Sequence, residues 1–344
     1  MRIEQNQKMD ANVVVTGNAR QENVAAAKKD ASIVRIEKDR KADRLLEQPT
    51  YGKPELLGRS IRSVQNQTYP EWELIIVDDN NPETEGRKQT ETLMEQYVAD
   101  KRIRYIKHEH NMNGSAARNT GIAAATGDYI AFLDSDDEYA PERLERCVKA
   151  LSECSDPNYA GVYTGCEITQ DGKTIRRRTE IKSGNFIAQT LAAGFPLSSG
   201  SNLFMRADVV RELNGFDTSF RRHQDYEFLV RYFRKYSLIA IPDILLVKNE
   251  IGANRQKTEV FYKTKVQYLE KYKDDIAKLS KSEQAYIYAE HYLNLQSTAF
   301  NEHKYNRFFQ FTGKAFAKRP GYTVLRTGKL FARTILGRSG KVNA

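Results

Sequence analysis

Four acidic residues, Asp134, Asp136, Asp137 and Glu138, fall within five positions of the stretch YIAFLDSDDEY at 129–139. An apolar run leads into them and ends at Leu133. Like charges packed this closely resist ionisation unless something positive neutralises them. Asp134 and Asp136 are two apart, so at the end of a strand both side chains can point the same way. Two hard carboxylates with room for water suit Mg²⁺ or Mn²⁺, ions held by one or two carboxylates and completed by substrate phosphates. Taken alone, Asp-x-Asp describes a solvated acidic loop equally well, so the pattern needs support from its surroundings.

A second acidic pair, Asp78-Asp79, closes the apolar run WELIIVDD. That run is short, rich in β-formers and bounded by turn residues, which predicts a buried strand. Around both acidic ends the chain alternates between strand and helix patterns. Leu56, Leu57, Ile61 and Val64 fall on helical spacing behind Pro54. Asn81-Pro82 predicts a helix start, with the helix running to about residue 98. RIRYIKH reads as a strand, GSAARNTGIAAATG as a small-residue helix, DYIAFLDSD as a strand and PERLERCVKALSE as a helix. This alternation implies an α/β fold with a mostly parallel sheet and helices on both faces. Ligands of such sheets bind beyond the carboxyl ends of the strands, where both acidic groups lie. YAGVYTGCEITQDGKTIRRRTEI predicts a hairpin turning at Asp171-Gly172. Its GKT is not a phosphate loop, because Gly165 stands seven positions before Gly172 where that motif needs five.

The net charge of +9 is localised. Residues 303–344 hold ten Lys or Arg and no acid, which leaves 44 basic and 45 acidic residues elsewhere. Basic sequence interleaved with aromatics suits an anionic membrane surface, and a solvated basic helix is the plainer alternative. Nucleic acid is not expected, since no recognition motif accompanies the charge. Residues 1–48 contain no aromatic side chain and read as a poorly ordered or irregular extension holding one apolar patch, NVVV. Three unevenly spaced cysteines form neither a disulfide framework nor a zinc signature, which points to a reducing, cytoplasmic setting. No apolar run reaches the length of a membrane span.

Three segments taken in order, NQTYPEWELIIVDDN, NGSAARNTGIAAATGDYIAFLDSDD and GFDTSFRRHQDYEFLVRYFRK, together resemble the family 2 glycosyltransferases of GT-A fold, the inverting group that includes bacterial surface-polysaccharide enzymes. The resemblance covers about 49–255, taken as the glycosyltransferase domain, and leaves 256–344 as a helical basic C-terminal region. It implies transfer of a sugar from a nucleotide-diphospho sugar, UDP-sugar foremost, to a glycan or lipid-linked acceptor of the cell envelope. Asp79, beside Asp78, would contact the nucleotide base, and Arg118 of the ARN stretch would lie near the nucleotide. Asp134 and Ser135 would face the donor, and Asp136, followed by Asp137, would face a Mn²⁺ or Mg²⁺ ion. Asp225, in a Gln-Asp pair where the family has an "ED"-like pair, would be the catalytic base. His223 and Arg255 would lie close to the phosphates or the acceptor, and Ser199 and Ser201 would line the acceptor site. The tail would hold such an enzyme peripherally on the inner face of the membrane.

One departure bears on activity. In this family an apolar first strand runs directly into the PTY turn, whereas here the turn follows DRKADRLLEQ, too charged for a buried strand. Either ASIVRI at 31–36 supplies the strand across an insertion, or the strand is degraded and the chain is a non-catalytic nucleotide-sugar-binding relative. A nucleotidyltransferase would need a Gly-rich phosphate loop near its first strand, and none is present.

Overall fold

The structure is a computed structural model that describes residues 11–16, 54–250 and 257–339. It divides into two compact units, residues 1–185 with 197–253, and residues 186–196 with 254–344.

The first unit is built on a nine-stranded sheet among the described residues. Its strands are β1 (Ala11–Thr16), β2 (Trp72–Asp78), β3 (Ile103–Lys107), β4 (Tyr129–Phe132), β5 (Glu138–Tyr139), β6 (Tyr159–Gln170), β7 (Lys173–Arg178), β8 (Phe204–Arg206) and β9 (Ser237–Glu250). The spatial order is β3-β2-β1-β4-β8-β6-β9-β5, with β7 paired to β6. β3, β2, β1 and β4 run parallel. β8 is antiparallel to both β4 and β6, and β6 runs parallel to β9. The sheet is therefore mixed: the expected parallel order holds from β3 to β4, and beyond β4 the pairings are antiparallel except for β6 with β9. The helices of this unit are α1 (Pro54–Gln65), α2 (Glu85–Met94), α3 (Gly114–Ala124), α4 (Arg143–Ser152), α6 (Ala207–Glu212) and α7 (Gln224–Phe233); α5 (Ile187–Leu191) belongs to the second unit.

The first strand answers the departure noted above. β1 is ANVVVT, the apolar patch of the supposed extension, and it pairs along its length with β2 and with β4. The N-terminal segment set apart at 1–48 thus contributes a central strand of the sheet. ASIVRI at 31–36 lies outside the described residues.

Local chemistry accounts for the elements beside the site. α1 buries Leu57, Ile61 and Val64 in the main core, and α4 buries Leu144, Cys147, Val148 and Leu151 there. α2 begins at Glu85, later than expected, because Thr84 rather than Asn81 is the N-cap, its side chain accepting from the Arg87 backbone N–H. Asn113 caps α3 by accepting from the N–H groups of Ser115 and Ala116. Small residues then let that helix lie close: Ala117 is fully buried and Ala116 nearly so. The β6–β7 turn places Asp171 and Gly172 at φ of 49° and 76°, as an Asp-Gly hairpin requires. Gly165 is needed for a different reason: a Cβ there would stand 2.3 Å from the Pro242 carbonyl oxygen of β9.

The second unit is helical: α5, α8 (Thr258–Lys271), α9 (Lys273–Ala277), α10 (Lys281–Asn301), α11 (Tyr305–Lys318) and α12 (Pro320–Ser339). α10 opens with a capping box in which Ser280 and Glu283 satisfy each other's backbone N–H. Phe261, Leu295, Ala299, Phe308 and Phe311 form a small core. No described helix is long and apolar enough to cross a membrane.

Candidate active site

The acidic loop joins β4 to β5. Asp134, Asp136 and Asp137 each place a carboxylate oxygen within 4.8 Å of the others. The loop is held from several sides. Ser60 of α1 donates to the carbonyls of Asp134 and Asp137 at 3.1 and 2.8 Å. The Asp134 N–H donates to Ser201 Oγ at 2.9 Å. Asn249 of β9 donates through Nδ2 to the Asp136 carbonyl at 2.7 Å.

The three carboxylates are not equivalent. Asp137 is buried and occupied: Ser199 and Ser201 hydroxyls donate to Oδ2 at 2.8 and 2.7 Å, and the Asn249 N–H donates to Oδ1 at 3.1 Å. It braces the loop from within. Ser199 and Ser201, expected to line the acceptor site, both donate to Asp137; Ser199 is half-buried and Ser201 fully buried. Asp134 is different. Its Oδ1 is buried without a hydrogen-bond partner. Burial, then the charge of Asp137, push its carboxyl well above the usual range, and Arg118 opposes the shift. Asp136 is half-buried beside it, with Ser135 half-buried between the two.

Part of the missing positive charge is Arg118. This α3 side chain is 1% exposed. Its Nη2 lies 3.8 Å from Asp134 Oδ1 and 3.8 Å from Asp225 Oδ1. Its Nη1 donates to Gln224 Oε1 at 2.9 Å, and its guanidinium lies over the Phe216 ring at 5.0 Å. One guanidinium thus ties together the end of β4 and the first turn of α7, which brings Asp134 and Asp225 to one place. A single cation leaves this set of carboxylates under-neutralised. The orphaned Asp134 oxygen and the all-oxygen donor set fit a hard divalent ion, Mg²⁺ or Mn²⁺.

Asp225 stands in the first turn of α7, which starts after His223 in a left-handed conformation, φ 59°. The His223 ring meets Tyr226 edge-on at 5.6 Å. Asp225 packs on Gly200, where a Cβ would lie 2.8 Å from Oδ1. Glycine is what permits the approach.

Asp78 and Asp79, expected near the nucleotide, each sit in a dense network of donors. Asp79 Oδ1 accepts from His108 Nδ1 at 2.7 Å and the Met112 N–H at 2.8 Å. Its Oδ2 accepts from Asn111 Nδ2 at 2.8 Å and the Asn113 N–H at 2.9 Å. Four donors fill four lone-pair positions. On Asp78, Oδ1 accepts from the Asn80 N–H and Nδ2, Oδ2 accepts from the Tyr105 hydroxyl at 2.5 Å, and Arg87 forms an ion pair at 3.0 Å. Both are fully buried, and burial raises both carboxyls against those donors. Asp79 fastens the segment from 108 to 113, and Asp78 ties β2 to Arg87 and to Tyr105 of β3. Arg255 lies outside the described residues. Sequence reasoning missed Ser60, Asn249, Gly200 and buried Arg143, which donates to Thr164 Oγ1 at 2.6 Å and the Ser201 carbonyl at 3.1 Å. None carries a motif of its own.

A model of glycosyl transferase family 2 matches residues 49–213. An uncharacterized glycosyltransferase of Methanocaldococcus jannaschii is 32% identical over 204 residues, covering 57% of this chain and 67% of that protein. The chain belongs to glycosyl transferase family 2. Another family relative, the amylovoran biosynthesis glycosyltransferase AmsB of Erwinia amylovora, is 29% identical over 202 residues, 56% of this chain and 66% of that protein. The chain thus matches about two thirds of the length of these two relatives. Among solved structures, S. aureus TarS 1–349 in complex with UDP-GlcNAc aligns with a TM-score of 0.57 at 14% identity, over 92% of this chain and 83% of that one. The shared fold is the GT-A fold of glycosyltransferases.

Proposed function

We propose that this family 2 member is an inverting glycosyltransferase that moves a sugar from a nucleotide-diphospho sugar, a UDP-sugar foremost, to a hydroxyl of a cell-envelope glycan or lipid-linked acceptor. The observation that carries the reading is Arg118, 3.8 Å from both Asp134 and Asp225. It couples a carboxylate suited to the donor's metal with one suited to act as base. Mg²⁺ or Mn²⁺, held by Asp134 and Asp136, would supply positive charge to the diphosphate leaving group. The acceptor oxygen attacks the anomeric carbon, the bond from that carbon to the diphosphate oxygen breaks, and Asp225 takes the hydroxyl proton. Arg118 holds Asp225 and Asp134 in register, and Gly200 leaves room for the base. Asp137 keeps the loop in shape. The ground for a non-catalytic relative was a lost first strand, and β1 fills that place.

The ten cations of 303–344 and the outward Phe309 and Phe316 of α11 support peripheral contact with an anionic membrane surface.

Two variants test the catalytic reading. Asp136→Ala abolishes Mn²⁺-dependent UDP binding in calorimetry. Asp225→Asn keeps UDP–Mn²⁺ binding and lowers turnover by about 100-fold or more. An Asp225→Asn enzyme that keeps a tenth of its turnover or more contradicts the assignment of the base.

A further inference from the structure

The β6–β7 hairpin carries a charge pattern that donor binding does not explain. β7 reads KTIRRR. Its register sets Arg178 opposite Cys166, Arg177 opposite Glu167 and Arg176 opposite Ile168. Directly opposed residues share a sheet face. Arg176 and Arg178 therefore lie on the face of Cys166 and Ile168, and Arg177 lies on the other, where it pairs with Glu167 at 3.0 Å. On the far side of β6, β9 sets Leu246 opposite Cys166 and Lys248 opposite Ile168. Lys248, Ile168 and Arg176 thus form one row across three strands, and Leu246, Cys166 and Arg178 form the next, with strands about 4.8 Å apart.

This face leads to the catalytic carboxylates. The Cys166 thiol meets the Ser198 side chain and feels the charges of Asp137 and Lys248. Ser198 precedes Ser199, which holds Asp137, and Gly200, which supports Asp225. From the other direction, the Tyr226 hydroxyl lies in the fields of both Asp225 and Arg178. Burial and Asp225 push that phenol up to about 12, and Arg178 pulls the other way. Among the described residues, neither Arg176 nor Arg178 meets a carboxylate, and Lys248 is 3.8 Å from Glu250. Two guanidinium groups on this face, with the Glu250-paired Lys248 beside them, attract an anion.

We propose that Arg176, Arg178 and Lys248 form a binding site for an anionic group of the acceptor, a phosphodiester or a carboxylate, that holds the acceptor hydroxyl at Asp225. The site rests on the glycosyltransferase reading and names its acceptor class. It leaves the donor diphosphate to the Asp134–Asp136 side.

The test is calorimetry on the full chain saturated with UDP and Mn²⁺, at low and high salt. The probes are oligo(glycerol phosphate), oligoglucuronate and a neutral maltooligosaccharide of equal length. One anionic probe binds about tenfold more tightly than the neutral one and weakens with salt. Its identity separates phosphodiester from carboxylate. The Arg176→Gln/Arg178→Gln double variant loses about tenfold in affinity for that probe and keeps its UDP–Mn²⁺ affinity. Arg177→Gln, on the opposite face, changes neither. Equal binding of all probes overturns the proposal, as does a double variant that loses UDP instead. A wild-type chain that binds no UDP–Mn²⁺ overturns the donor reading, and this inference with it. UDP binding without an anionic preference overturns this inference alone.

Discussion

Replacing Gly200 by alanine tests the catalytic assignment without touching a charged group. A Cβ at this position would lie 2.8 Å from Asp225 Oδ1, 3.3 Å from Cγ and 3.4 Å from Oδ2. Restoring ordinary contact requires Oδ1 to move by about 0.6 Å. The Asp225 side chain is 29% exposed, so it can yield toward solvent. The stability cost should then sit near the low end of overpacking, about 1 kcal/mol. Yielding disturbs the 3.8 Å approach to Arg118 and displaces the base from the acceptor oxygen. A misplacement near 1 Å can cost roughly 100-fold in rate, so a loss of about 10- to 100-fold in kcat is expected. UDP–Mn²⁺ affinity should stay within about twofold, because Asp134 and Asp136 are not displaced. The assay is UDP release from the nucleotide sugar that gives the highest turnover, with calorimetry and thermal unfolding alongside. Gly313→Ala is the control, since a Cβ there meets nothing within 4 Å. Unchanged kcat in Gly200→Ala would refute the argument, for it would mean that the position of Asp225 is not felt in the chemical step.

Arg118→Met removes the guanidinium between Asp134 and Asp225 and should cost about 3 kcal/mol in urea unfolding, with part of the loss recovered on adding Mn²⁺; a loss below about 1 kcal/mol would count against the bridge. His291 of α10 is fully buried, donates through Nε2 to the Leu191 carbonyl at 2.8 Å, and is held well below its usual value by burial and by Lys265. Its folded value lies below its unfolded one, so its stabilising contribution is complete above about pH 6.5 and is lost as the pH falls below it. His291→Gln should therefore flatten the fall in unfolding temperature between neutral and acidic pH. The full chain should co-sediment with anionic vesicles at low salt, and Phe309→Ser with Phe316→Ser, one outward stripe of α11, should weaken that binding; equal sedimentation of the two proteins would refute the membrane contact.

The elements around the site were legible because their signals are local. WELIIVDD had to be a buried strand, and it is β2. Pro54 with the Leu57-Ile61-Val64 spacing marked α1. Asp171-Gly172 marked the hairpin. What was not legible depends on contacts far apart in sequence. β1 is separated from α1 by a long stretch, and charged residues precede the PTY turn, so proximity in sequence pointed to the wrong run. Ser60 and Asn249 reach the acidic loop across 74 and 113 positions. Most donors around Asp78 and Asp79, among them Tyr105, His108 and Met112, come from residues far along the chain that the acidic pattern does not contain. Arg118 was singled out by resemblance, and only its geometry shows why one guanidinium serves two acids.

The place of β1 has a practical consequence. The family match begins at residue 49, and a fragment cut there would seem to keep the catalytic domain whole. It would lack the strand that β2 and β4 both pair with. β3 and β2 would form one ribbon and β4 onward another, each with a raw edge of unpaired N–H and C=O groups facing the gap. Such edges recruit neighbouring chains. A fragment from 49 onward should come out of the cell as aggregate, and a fusion partner would keep it in solution without restoring its seam. Supplying ANVVVT as a separate peptide would then amount to donor-strand complementation, with the sheet closing only when the missing piece is lent back.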